Sequence, residues 1–213
     1  MSKTSPFIAA VCGAALVALA MTFGPAAVAT HQPANTMSIA GSGVEVMGTP
    51  LAEGSSSEEV TLLSGRIRTS APTDLIIRVT SECALWTDAT TVGNDESQAV
   101  AALKVWVEID GRPVPVAADD SGEDAGKVVF CNRAYKRVTS LFDDEDATIK
   151  TYLSTRTANA FNWISLNLGN GVHTVVVKGQ LEAQVTGTGE AKAAVGKRTL
   201  VIEPARLGND VSL

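Results

Sequence analysis

The sequence predicts an all-β protein, an antiparallel two-sheet sandwich of immunoglobulin-like or fibronectin-like type with roughly seven to nine strands and at most one short helix. Three observations predict it. Apolar and polar residues alternate along most of the chain after residue 58, the period of a half-buried strand. Turn signals break these runs at short spacings, and Asp110-Gly111 is a strong two-residue hairpin signal. Cys83 lies on an apolar strand face and Cys131 in an apolar, strand-like run, as a bridge between two strands requires.

At the N-terminus, Lys3 precedes an apolar run over residues 7–23, which Gly24-Pro25 breaks ahead of Ala27-Val28-Ala29. That is the order of a secretory signal peptide, with cleavage expected after Ala29. A membrane anchor is the competing reading, because the run is close to spanning length. Residues 1–29 are therefore read as a leader and residues 30–57, rich in Gly, Ser and Pro, as a flexible linker or N-terminal arm. Residues 58–207 form the expected sandwich domain and 208–213 a C-terminal tail. The expected location is secreted and extracellular, with no stable membrane anchor after cleavage.

Within the domain, EEVTLLSGRIRT is the first strand, ended by Ser70-Ala71-Pro72. In TDLIIRVTSECALW, Leu75, Ile77, Val79, Ser81, Cys83 and Leu85 share one face. Residues 90–97 read as a loop. In AALKVWVEIDGRPVPVAA, Leu103, Val105, Val107 and Ile109 face one way and Lys104, Trp106 and Glu108 the other. Pro113 and Pro115 lack the ladder donor, so the return strand pairs on one side only. GKVVFCNRAYKRVTSL places Val129 and Cys131 opposite Val128 and Phe130. FDDEDATIKTYLSTRTANA fits either a short helix, capped at Asp143 or Asp144 with Ile149, Tyr152 and Leu153 inward, or a threonine-rich strand. FNWISLNLGNGVHTVVVKGQLEAQV reads as a long hairpin turning at Gly169-Asn170-Gly171, with Phe161 and Trp163 facing away from Ile164, Leu166 and Leu168. GKRTLVIEP is the last strand.

The segments LKVWVEIDGRPVPV, GKVVFCNRAY and AFNWISLNLGNGVHTVVV resemble uncharacterised secreted bacterial β-sandwich proteins of immunoglobulin-like type. The resemblance covers about the C-terminal two-thirds of the chain. It implies a fold and a compartment and carries no catalytic or binding residues. The antibody pattern itself is absent, since Trp86 follows Cys83 by three positions and does not lie on the next strand.

A net charge of −6 offers no electrostatic footprint for nucleic acid and is repelled by anionic membranes. Removal of the leader would take Cys12 and leave Cys83 and Cys131, which in an exported chain most simply form one disulfide. Free buried thiols are an alternative, as is a nucleophilic cysteine served by His173.

His173 is also the one plausible triad histidine, but no G-x-S-x-G elbow accompanies it, and the plainer reading is a strand-end histidine bonded to backbone. Asp143, Asp144 and Asp146, with Asp119, Asp120, Glu123 and Asp124, are calcium candidates, though they lack the spacing of a calcium loop and read equally as solvated acidic loops. Trp106, Trp163 and Trp86 are candidate ligand-binding residues: rings on the outside of a sandwich stack on sugars or anchor a protein, unless they belong to a second, minor core.

The functional expectation is a secreted, non-enzymatic sandwich with a binding or structural role at the extracellular or envelope layer. Its partner would be an extracellular protein or a glycan, and it would need no cofactor. A carbohydrate-binding module using these tryptophans is the alternative, and a secreted hydrolase comes third.

Overall fold

The computed structural model describes residues 36–50, 55–92, 96–116, 126–138, 148–186 and 188–205. These residues form eleven strands: β1 (Met37–Gly41), β2 (Glu45–Pro50), β3 (Ser55–Ser56), β4 (Val60–Thr69), β5 (Thr73–Val92), β6 (Glu96–Ile109), β7 (Arg112–Pro113), β8 (Val128–Val138), β9 (Thr148–Leu168), β10 (Gly171–Thr186) and β11 (Thr188–Ala205). Among the described residues no helix is long and apolar enough to cross a membrane.

The strands make two antiparallel sheets packed face to face. The first has the order β1-β11-β5-β9, with β2 also on β11. The second has the order β3-β10-β6-β7, with β4 also on β10 and β8 also on β6. Each sheet is thus four lanes wide. Short strands share three of the four outer lanes end to end: β1 pairs with residues 198–202 of β11 and β2 with residues 190–195.

The count exceeds the expected seven to nine because short strands fill these outer lanes. Three of them, β1, β2 and β3, fall within residues 30–57, which composition alone presents as a linker. Met37 and Ile39 of β1 pack against the main core, over a place on β4 where the backbone comes close: a Cβ on Gly65 would clash with both.

The core lies between the sheets and follows the expected alternation. Leu75, Ile77, Val79, Cys83 and Leu85 of β5 face Leu103, Val105 and Val107 of β6 and Val175, Val177 and Leu181 of β10, all essentially inaccessible. Each such aliphatic side chain contributes about 1.5–3 kcal/mol by leaving water. At Asp110-Gly111 both residues have positive φ, 52° and 77°, as the primed hairpin turn requires. The return strand β7 pairs only with β6, in keeping with its proline.

Three local readings are corrected and one open alternative is decided. First, β9 and β10 do not pair: β9 lies beside β5 in the first sheet and β10 beside β6 in the second. The turn therefore carries the chain across the sandwich. Asn167, at φ 51°, makes the bend and donates its backbone N–H to Asp74 Oδ1 at 2.9 Å. Phe161 and Trp163 on one arm and Val175 and Val177 on the other face the same interior, so the arms belong in opposite sheets.

Second, of the two alternatives for this stretch, residues 148–153 take the strand. A period of two sends Ile149 and Leu153 inward and leaves Tyr152 65% exposed. Third, β5 runs on to Val92 and β6 begins at Glu96, which shortens the loop expected over residues 90–97.

Fourth, bulges reset the alternation. Leu103 pairs with Cys131 but Lys104 pairs with Val129, so Phe130 is extra; Phe130 and Cys131 are both buried, and Val129 is outside. Likewise Val177 pairs with Leu63 and Lys178 with Thr61, which lets Leu62 and Leu63 both enter the core.

Candidate functional site

Two of the three tryptophans are buried. Trp163 is fully buried; it stacks on Phe130 (ring centres 6.2 Å apart, planes 10° apart) and meets Phe161 edge-on at 4.9 Å. Its Nε1–H donates to the Gly126 carbonyl at 2.8 Å, which satisfies the one polar atom of the ring. The outward placement expected for Trp163 is overturned, because the inward face of β9 runs through the odd-numbered positions up to residue 163.

Trp106 does lie on the outer face of the second sheet, yet it is 2% exposed. Lys127 Nζ sits 4.3 Å above its ring centre, and Nε1–H donates to Glu108 Oε1 at 3.1 Å. Lys178 joins Glu108 (2.9 Å) to Glu59 (3.3 Å) beside it. Burial alone would raise the Glu108 carboxyl; the hydrogen bonds from Lys178 and Trp106 outweigh burial and hold it below the ordinary carboxylate range. This ring is a lid-covered minor core, and no ligand can stack on it as it stands.

Trp86 differs. It is half-buried on the outer face of the first sheet, between Lys192 of β11 and Ser154 of β9 in register. With Val46, Asp88, Tyr152, Glu190 and Lys192 it lines an open groove of about 330 Å³. Gly48, opposite Lys192, leaves that row without a side chain. Val46 and Tyr152 are about two-thirds exposed. Lys192 bonds Glu190 at 2.7 Å, and that bond, before any longer-range charge, raises the Lys192 pKa and keeps the ammonium charged.

Farther along the same face lies a shallow trough of about 610 Å³, floored by small residues that include Ala40, Thr80, Ala158 and Ala160. Sequence reasoning selected Trp86 but not its company. Tyr152 was assigned inward by helical spacing, and Val46, Asp88, Glu190 and Lys192 are brought to it only by strand pairing.

His173 is spoken for. Nδ1 lies 2.7 Å from Asp110 Oδ2, and Nε2 lies 3.0 Å from the Gly169 carbonyl and 3.2 Å from Thr69 Oγ1. Asp110 also accepts from the Thr174 backbone N–H at 2.8 Å. The ring pins the cross-sheet turn to the hairpin turn, with Nε2 shared between the Gly169 carbonyl and the Thr69 hydroxyl.

The Cys83 and Cys131 sulfurs sit at disulfide distance, with Cα atoms 6.6 Å apart, and join β5 of one sheet to β8 of the other. Among the described residues no three His, Cys, Asp or Glu side chains are gathered to hold a metal. The calcium candidates Asp143, Asp144 and Asp146, and Asp119, Asp120, Glu123 and Asp124, lie outside the described residues. So do residues 1–29, expected to be a leader, and residues 208–213, expected to be a tail.

No family model matches the chain, and no curated protein matches it. Among solved structures it aligns with that of the infectious bursal disease virus Gt strain at 15% identity, over 80% of this chain and 42% of that one, with a TM-score of 0.21. The VP2 subviral particle of infectious bursal disease virus aligns at 14% identity over 80% and 42%, with a TM-score of 0.18. The chain therefore spans less than half the length of these structures, and TM-scores of this size carry no argument about its role.

Proposed function

We propose that the chain is an exported, non-catalytic β-sandwich that works by recognition at the extracellular or envelope layer, with the outer face of its first sheet as the recognition surface. The observation that carries this is the groove at Trp86: an aromatic and aliphatic cluster left open on a face whose other exposed positions are mostly small or charged. Apolar side chains grouped in a groove and rimmed by charged groups are the pattern of an interaction site. The bridge between the sheets supports an oxidising compartment.

The test is export and retention. The full chain is expressed in a bacterial host, and the exported fraction is incubated with insoluble envelope preparations. We expect thiols of Cys83 and Cys131 to titrate only after reduction, and the protein to be retained. Trp86→Ala with Tyr152→Ala should abolish retention, whereas Lys104→Ala with Glu182→Ala, a pair on the other sheet's outer face, should leave it unchanged. Retention within the cytoplasm, or equal retention of both variants, would overturn the proposal.

A further inference from the structure

We infer that the outer face of the first sheet binds an uncharged pyranose polymer, which stacks on Trp86 beside Tyr152 and runs along β5 toward Thr80. The inference rests on the recognition face proposed above and names its ligand class.

Three features select the class. The first is the mixed chemistry of the groove. A pyranose ring has an apolar C–H face and a rim of hydroxyls that both donate and accept. The groove presents an accessible indole and phenol, with carboxylates of Asp88 and Glu190 as acceptors and the Lys192 ammonium as a donor. Lys192 and Glu190 already hold each other at 2.7 Å, so these polar groups are set in place before a ligand arrives.

The second is charge. At Trp86 Asp88 and Glu190 stand against the ammonium of Lys192, and along the path toward Thr80 exposed Glu82 is met by Arg156 and Lys197. Acidic and basic groups thus balance over the face, and it offers no excess charge to hold an ionic polymer, which a neutral sugar does not need.

The third is shape. The groove opens on the face that carries the trough at Thr80, and the floor between them is shallow. Ala84 pairs with Ala194 there, flanked by exposed Arg156 on β9; Glu82 stands next on β5, and Ala158 and Ala160 follow on β9, so small residues alternate with polar groups that can reach sugar hydroxyls. From Asp88 to Thr80 the strand covers about 26 Å at 3.3 Å per residue, enough for several rings in a row. A protein partner of ordinary affinity would bury about 800 Å² per side around an apolar centre, and the charged rim here lies directly against the rings.

The experiment uses the full exported chain and hexamers and dimers of β-1,4-linked glucose, α-1,4-linked glucose and β-1,4-linked N-acetylglucosamine, with polygalacturonate as an anionic control. Acrylamide quenching of tryptophan emission reports the site directly, because Trp106 and Trp163 are enclosed and Trp86 is the reachable ring. We expect at least one neutral hexamer to protect Trp86 saturably and to bind at least ten-fold more tightly than its dimer. Trp86→Phe should retain most of the binding, followed by calorimetry, and Trp86→Ala should lose ten-fold or more. Ala158→Trp, which fills the trough, should weaken the hexamer several-fold and leave the dimer unchanged. Protection by none of the neutral sugars, equal binding of polygalacturonate, or undiminished binding by Trp86→Ala would overturn the assignment. Envelope retention that depends on Trp86 while every sugar fails would sink the pyranose alone; loss of both would retire the recognition face as well.

Discussion

A tryptophan is identified by what touches it, and the three in this chain separate cleanly on that basis. Trp163 fills the interior beside Phe130 and Phe161, so Trp163→Ala should cost about 3–5 kcal/mol, the range for removing a large core ring. Trp86→Ala removes a partly buried ring on the outer face and should cost well under that. Urea denaturation of the two variants checks the contrast, and equal losses would refute the assignment of faces. Asp110 gives a second test at this scale. Its carboxyl lies below the ordinary carboxylate range, first because His173 hydrogen-bonds to it and next because the Thr174 N–H does. A depressed folded pKa means that the stabilisation is present above the unfolded value, about 3.9, and is lost as pH falls through the folded value. Stability measured from pH 6 downward should therefore drop below about pH 4, and Asp110→Asn should flatten that part of the curve. A parallel acid limb in the variant would show that the Asp110–His173 contact does not contribute. The half-exposed position of Asp110 keeps the effect modest.

At the level of strands, the elements that sequence presents plainly are those with one uninterrupted period. β5 and the second half of β6 carry their apolar residues at every second position, and the structure buries those residues. Where a bulge intervenes, the period read on one side fails on the other. In β11 the buried set changes from Ala191, Ala193 and Val195 to Arg198, Leu200 and Ile202, because Gly196 and Lys197 together oppose one residue of β5. That change turns Arg198 inward. Its guanidinium donates to the carbonyls of Leu62 (2.7 Å) and Gly196 (3.0 Å), to that of Gly43, and to Glu45 at 3.3 Å. A sequence cannot announce this, since most of the acceptors come from two other segments, β4 and the link at residues 43–45. The consequence is that Arg198 ties residues 43–45, the link between β1 and β2, to the body of the sandwich. Arg198→Ala leaves those carbonyls without a donor and should destabilise the protein by about 2–4 kcal/mol. Hydrogen exchange should then show early loss of protection at residues 37–48 while β5 and β10 remain protected. Gly65→Val should release the same residues by a different route, by displacing Met37 and Ile39. Uniform loss of protection across all strands in both variants would mean that these strands do not open as a unit.

The whole molecule is uneven along its length, and the cysteine pair stands where it changes. On one side of Cys83 the interior is bulky: Leu75, Ile77, Val79, Ile109, Trp163 and Ile202. On the other side it thins to Thr87, Ala89, Thr91, Ala99 and Ala101, which bury little apolar area apiece. The two-layer design and the staple across it were legible in the sequence, because alternation and cysteine placement are local signals. The groove was not: Trp86 was visible, but its neighbours are assembled by register between β2, β11, β5 and β9, and register is a long-range property. This unevenness fixes what the staple does. Cys83 and Cys131 are 48 positions apart, and closing a loop of that size restricts the unfolded chain by about 4 kcal/mol in the chain-entropy treatment. The thin half has the least apolar burial to replace that contribution. A Cys83→Ala, Cys131→Ala double variant should therefore lose up to about 4 kcal/mol in urea denaturation, with the wild type in reductant behaving alike. Amide exchange should speed up first at residues 84–92 and 96–102 and last at residues 75–79 and 103–109. The groove at Trp86 sits on the outside of the thin half, so the same variant should show faster quenching of Trp86 with Trp163 still protected. Simultaneous exposure of both rings would mean that the two halves unfold as one, and that the staple holds the sandwich as a whole.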